Sequence, residues 1–285
     1  LQRKDDDLYN FFIMTKARVL FVSQEIVPYL KDSPMGRISR YLPQGIQEKG
    51  KEIRTFMPRY GHINERRNQL HEVIRLSGIN IIIDNTDRPL IIKVASIQQA
   101  RMQVYFIDND DYFARKFQFY DKNDKFFKDN DERAVFFARG VLETVKKLGW
   151  NPDIIHCHGW FTSLLPLYVK TAYKDNPIFS DAKIIVSLYD DEFEGELGKT
   201  IKSKIKLPGI KEKHLTNYKK GTFVGLMQGA LDFADGAIIA SENVNPEILN
   251  YLSQKNMPIL PLQDEETYID AYNDFYEKIL KNEKT

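Results

Sequence analysis

Two histidines around a cysteine, a cluster of carboxylates and a lysine ahead of a helix start are the groups in this 285-residue chain whose spacing bears on chemistry. In DIIHCHGWFTSLLP (153–166) an apolar run ends in His156 and His158, and Trp160 and Thr162 follow. At i and i+2 of an extended segment, the histidines are read as pointing to opposite faces. That makes them poor joint metal ligands, and at least one is expected in the core. The stretch SLYDDEFEGEL places Asp190, Asp191, Glu192, Glu194 and Glu196 within seven residues. Such a run is usually a solvated loop and less often a cation or sugar site. Lys31 precedes a predicted helix N-terminus, where exposed backbone N–H groups favour an anion such as phosphate. A solvated lysine is the alternative. No Gly-rich phosphate loop, nucleophile elbow or zinc spacing occurs in the sequence.

These groups need a scaffold, and short apolar runs alternating with helical patterns predict a doubly wound α/β fold with a mostly parallel sheet. Strands are predicted at 18–23, 52–58, 153–157, 182–188 and 236–241, with a hairpin and a further strand in 73–106. Helices are predicted at 36–49, 130–148, 161–174, 216–234 and 245–254. In such a sheet ligands bind beyond the carboxyl ends of the strands, where His158, Lys31 and the carboxylates fall. A last helix, 264–280, carries Tyr268, Ile269, Tyr272, Phe275, Tyr276 and Ile279 on one stripe. An aromatic face of that size must dock on something.

The 41 basic and 40 acidic side chains leave a formal charge of +1, which argues against a nucleic-acid partner. One cysteine, Cys157, excludes an internal disulfide and points to a reducing, cytoplasmic setting. No apolar run approaches the roughly 20 residues of a membrane helix, so no membrane partner is expected. The FFIM patch near the start is too short for a signal peptide. Met14 is read as the natural start, and residues 1–13 as a poorly ordered extension.

Five ordered motifs resemble the amino-terminal catalytic half of the glycogen and starch synthase family. They are RVLFVSQEIVPYLK, VYFIDNDDYFAR, DNDERAVFFARGVLE, PDIIHCHGWFTSLLPLYVK and GALDFADGAIIAS. The resemblance implies half of a GT-B glycosyltransferase, a Rossmann-like domain at 14–260, with 261–285 as a helix packing back on it. The sequence is expected to stop about where a second domain would begin. The family transfers glucose from ADP-glucose to an α-1,4-glucan with retention and without an essential metal or cofactor. By resemblance Lys31 contacts the donor phosphate, and Glu25, His158, Trp160 and Thr162 contact acceptor or sugar. Tyr189 and Asp190 stand at the family's sugar-site positions, and no catalytic residue is assigned.

The chain also departs from the family pattern. The Lys-Thr-Gly-Gly-Leu stretch reads KDSPM here, Arg37 replaces an acid, and Gly159 and Phe161 replace an Asp and a His. The strand end TIHN reads SLYD. The isolated chain is therefore expected to be weakly active or inactive. Alternatives are a non-catalytic glucan or nucleotide-sugar binding homologue and a structural interaction domain. The partners implied are a maltooligosaccharide or α-1,4-glucan and a partner chain supplying the second domain.

Overall fold

The computed structural model describes residues 16–198 and 200–281; the expected extension at 1–13 lies outside them. The strands are β1 (Arg18–Ser23), β2 (Glu52–Pro58), β3 (His71–Glu72), β4 (Ile79–Ile83) and β5 (Thr86–Ile97). They continue with β6 (Met102–Asp108), β7 (Ile154–His158), β8 (Lys183–Leu188), β9 (Gly236–Ile239) and β10 (Ile259–Leu260). Their order is β10-β9-β8-β7-β1-β2-β6-β5-β3, with β4 paired to β5 off this path. Every pair from β10 to β6 is parallel. The chain fills the sheet outward from β1 through β2 to β6, then returns to β7 on the other side of β1. That reversal makes the β1–β7 junction the topological switch point, where such sheets open a crevice for ligands.

The parallel strands form because their residues are apolar on both faces: β7 is buried throughout, and β1 and β8 are buried after their first residue. The hairpin of 73–106 is β4 and β5, joined at Asp84 and Asn85. Both turn residues have positive φ, 48° and 59°, as a tight two-residue hairpin turn requires. Antiparallel pairing of β5 to β6 then makes the hairpin an extension of the main sheet.

The helices are α1 (Pro34–Glu48), α2 (Asp110–Phe113), α3 (Asn130–Leu148), α4 (Leu164–Lys170), α5 (Ile201–Ile205), α6 (Phe223–Asp232), α7 (Pro246–Ser253) and α8 (Tyr268–Lys281). α3, α4, α6 and α7 pack in series, and α1 packs against α8. Two helices are about half as long as predicted. The 161–174 helix is a 3-10 turn at Trp160–Thr162 followed by α4, which ends at Lys170 because the next residue, Thr171, leaves helical geometry with φ −127° and ψ −77°. The 216–234 helix begins only at Phe223, because Gly221 has positive φ and the Thr222 hydroxyl caps the Gly225 N–H.

The α8 stripe docks as an aromatic face must. Tyr272, Phe275, Tyr276 and Ile279 are buried. Two glycines make room: a Cβ at Gly45 of α1 would lie 2.5 Å from Ile269, and one at Gly236 of β9 2.9 Å from Ile279. Among the described residues no helix is long and apolar enough to cross a membrane.

Candidate functional site

At the β1–β7 junction Ser23 and His158 are paired in register, and the Gln24 N–H donates to the His158 carbonyl at 3.1 Å. Gly159 then turns with φ +86°, a region that favours glycine. A Cβ on Gly159 would stand 2.4 Å from Gln24 Cδ, so the Gln24 side chain fills the space beside it. Its Oε1 accepts from the Phe161 N–H at 3.2 Å. From the loop after β8, Asp191 Oδ2 accepts from the Trp160 N–H at 2.8 Å. Two side chains from neighbouring strand ends thus satisfy the first amides of the turn that follows β7.

The two histidines share a face of β7, which corrects the expectation from sequence. Side chains alternate along a strand, so i and i+2 lie on the same side, and the ring centroids are 3.9 Å apart. His156 is engaged at both nitrogens: Nδ1 pairs with the Tyr276 hydroxyl at 2.6 Å and Nε2 with Ser187 Oγ at 2.8 Å. His158 Nδ1 pairs with the Tyr189 hydroxyl at 2.9 Å, and His158 Nε2 is buried without a partner. Burial holds both imidazoles neutral, pushing His156 well below the usual range and His158 down to about 3. Among the described residues no group of three or more His, Cys, Asp or Glu could hold a metal.

Of the five carboxylates in the β8 loop, Asp190, Glu192, Glu194 and Glu196 are exposed. Asp191 alone turns its carboxylate inward, and its Oδ1 is buried without a partner. Burial pushes this carboxyl up to about 7; the charges of Glu25 and Asp190 add to the shift, and the Trp160 N–H opposes it. The switch point therefore holds three buried, unpartnered polar atoms: Ser23 Oγ, His158 Nε2 and Asp191 Oδ1.

The other sequence-predicted residues divide between rim and interior. Lys31 is exposed. Glu25 is half-buried, and its Oε2 accepts from Ser33 Oγ at 2.7 Å. Ser33 Oγ in turn accepts from the Gly36 N–H at 2.9 Å and caps α1, with Pro34 at the first helical position. Ser33 and Pro34 thus convert the loop after β1 into a helix start. Trp160 and Thr162 are interior residues, contrary to the expectation of a sugar-facing pair. Trp160 is 2% exposed, with the rings of Phe193 and Phe119 at 4.7 and 4.8 Å. The Thr162 hydroxyl donates back to the Gly159 carbonyl at 2.7 Å. Phe161 is fully buried and stacks on Phe137.

Much of the motif agreement is architectural. Asp108 is buried at the end of β6, where it accepts from Arg59 at 2.9 Å and pairs with Lys93 at 3.0 Å. Arg133 donates to the Tyr112 carbonyl at 2.8 Å and to Asn130 Oδ1 at 2.5 Å, under the rings of Phe113 and Phe127. These residues tie the segment around α2 to α3. Gln24, Ser33, Ser187 and Tyr276 went unread as site residues. Their partners are 120 residues away for Tyr276 and 137 for Gln24, and no local pattern reports such pairings.

The model of the starch synthase catalytic domain family matches residues 18–257. A glycogen synthase of Chlorobium limicola is 38% identical over 219 residues, covering 76% of this chain and 44% of that protein. A glycogen synthase of Chlorobium luteolum is 40% identical over 183 residues, 63% of this chain and 37% of that one. The chain thus spans less than half the length of these curated relatives. Among solved structures, the catalytic domain of starch synthase IV from Arabidopsis thaliana, bound to ADP and acarbose, has a TM-score of 0.68 at 19% identity. It covers 88% of this chain and 52% of that one, and shows that the two share a fold.

Proposed function

The chain belongs to the starch synthase catalytic-domain family, and from that premise we propose that its β1–β7 crevice is the glucan-facing wall of a glucosyltransferase cleft. The observation that carries this reading is the set of buried, unpartnered atoms at the switch point, Ser23 Oγ, His158 Nε2 and Asp191 Oδ1. Buried polar groups without partners are costly. Sugar hydroxyls, each of which donates once and accepts twice, are suited to satisfy such atoms. Lys31 at the rim would meet the phosphates of ADP-glucose, as a flexible point charge does. The α-1,4-glucan and ADP-glucose belong to this proposal, as does any partner chain that completes the cleft.

Transfer by these 285 residues alone would be weak or absent. Tyr189 occupies the place of a family imidazole, and burial pushes its phenol well above the usual range. It supplies a hydrogen bond but no proton acceptor near neutral pH. Pro34 has no N–H to offer an oxyanion, and Ser33 takes up Glu25. Because catalysis in a closed cleft depends on pre-positioned groups, these changes lower turnover more than they lower binding.

The test pairs calorimetric titration of maltoheptaose with incubation of the protein, ADP-glucose and glycogen. Glucan binding is expected with a Kd on the order of millimolar, roughly 4 kcal/mol, with no measurable glucosyl incorporation. Turnover near 1 per second, ordinary for an enzyme, would overturn the inactivity. Absence of maltoheptaose binding at saturating concentrations would overturn the crevice as a glucan site.

A further inference from the structure

We propose that the cavity at the amino ends of β2 and β6 is a binding site for a hexose phosphate, with Arg54 and Arg101 on the phosphate and a row of amides on the sugar. The site stands apart from the crevice. β2 and β6 run parallel to β1, so their amino ends lie toward the opposite edge of the sheet from Ser23 and His158. The cavity measures about 360 Å³, at the small end of ligand pockets, and suits one small molecule. Its floor is a sheet face. Ser96 of β5 pairs in register with Gln103 of β6, and Arg54 and Gln103 directly precede the paired residues Thr55 and Val104. Residues in register share a face, so Arg54, Gln103 and Ser96 form a row across three strands. Gln47 reaches the cavity from α1, and Gln98 from the 3-10 turn that follows β5.

Charge selects an anion. Two guanidiniums line the cavity and no carboxylate does. Among the described residues the Arg101 side chain makes no hydrogen bond or ion pair. Arg54 makes one hydrogen bond, to the Ile53 carbonyl at 3.3 Å, and Glu52 stands 3.9 Å away. Glu52 is itself taken up by Arg18 and the Trp150 N–H. A guanidinium carries five N–H donors, so both arginines keep most of theirs for a ligand. Phosphate is an anion that their planar forks match. Arg101 also holds its place against backbone preference: at φ 50° and ψ 34° it fills a left-handed cap that Gly or Asn ordinarily takes. The three amides and Ser96 offer donors and acceptors together, which a bare phosphate does not use and a polyol does. Tyr105, Ile97 and Met102 add apolar surface for the C–H face of a sugar ring.

The experiment is calorimetric titration of the protein with glucose 6-phosphate, set beside inorganic phosphate, glucose and AMP. Glucose 6-phosphate is expected to bind with a Kd on the order of 0.1 mM, inorganic phosphate about tenfold more weakly, and glucose without measurable heat. Arg101→Asn removes a cation, and Gln103→Glu puts a carboxylate into the row at an exposed position. Each should weaken glucose 6-phosphate by about tenfold or more, the worth of a charge-assisted hydrogen bond. Arg101→Asn should melt no lower than the unaltered protein, since Asn tolerates the left-handed region. Lys31→Ala, at the rim of the crevice, should leave the titration unchanged. No heat with glucose 6-phosphate would overturn the proposal. So would binding that survives both cavity substitutions, or binding that is lost in Lys31→Ala. Inorganic phosphate binding as tightly as glucose 6-phosphate, or AMP binding more tightly, would overturn the hexose as occupant. If Arg101→Asn melts lower or does not fold, Gln103→Glu decides by the same criteria.

Discussion

Asp191 and the paired histidines give the crevice opposite responses to acid. Burial raises the Asp191 carboxyl from 3.8 to about 7, so between those values the folded state holds more protons than the unfolded chain. Its contribution to stability is therefore full below about pH 4 and is lost as pH rises through about 7. The histidines are depressed below the ordinary imidazole value of 6.5, His158 to about 3. Their contribution is present above pH 6.5 and is lost as pH falls toward 3. Asp191→Asn removes the first response and keeps the second. Its melting temperature should exceed that of the unaltered protein at pH 8, converge with it near pH 4, and climb more steeply between. Parallel melting curves for the two proteins across that range would contradict the buried ionisation. Little of this was legible in the sequence. Asp191 stands in a run of acids, and its inward turn depends on meeting the Trp160 N–H from another strand end.

Helices α1 and α8 show how elements position the site. Serine and proline in place of family glycines after β1 mark a change in the sequence, and the structure gives its form: a capped helix start whose cap also holds Glu25. Replacing Ser33 by Ala should cost about 1 kcal/mol, as removal of an N-cap does, measurable by urea unfolding. No loss would mean that the cap is not made. For α8, the period of the aromatic stripe predicted a docked helix, and Tyr272, Phe275, Tyr276 and Ile279 are its buried members. Phe275 lies against Gly236 of β9. Phe275→Ala is expected to destabilise by about 3–5 kcal/mol, whereas Asp270→Asn, at an exposed ion pair with Lys49, should change stability by less than about 1 kcal/mol. Equal effects would show that α8 is not seated on the sheet. The helix start was misplaced by four residues because Asp264 accepts from the N–H and hydroxyl of Thr267 in a turn ahead of Tyr268.

At the scale of the whole molecule, parallel strands covered on both faces write themselves as apolar runs, so β1, β2, β7 and β8 were legible to within a residue. Strand order was not, because registers such as Ser23 with His158 join residues far apart in the chain. The same limit hid the crevice. The sequence shows His158, Glu25 and the acid run as separate features, and only the β1–β7 reversal brings them to one place. Under the proposed function, this place binds glucan. The most direct measurement is an amide-resolved NMR titration with maltoheptaose. The shifts should cluster at Gln24, Glu25, His158, Gly159 and Tyr189 to Asp191, with a midpoint on the order of millimolar. Shifts confined to another surface, such as the pocket of Tyr41, Leu262 and Tyr268 between α1 and α8, or no shifts at all, would contradict it.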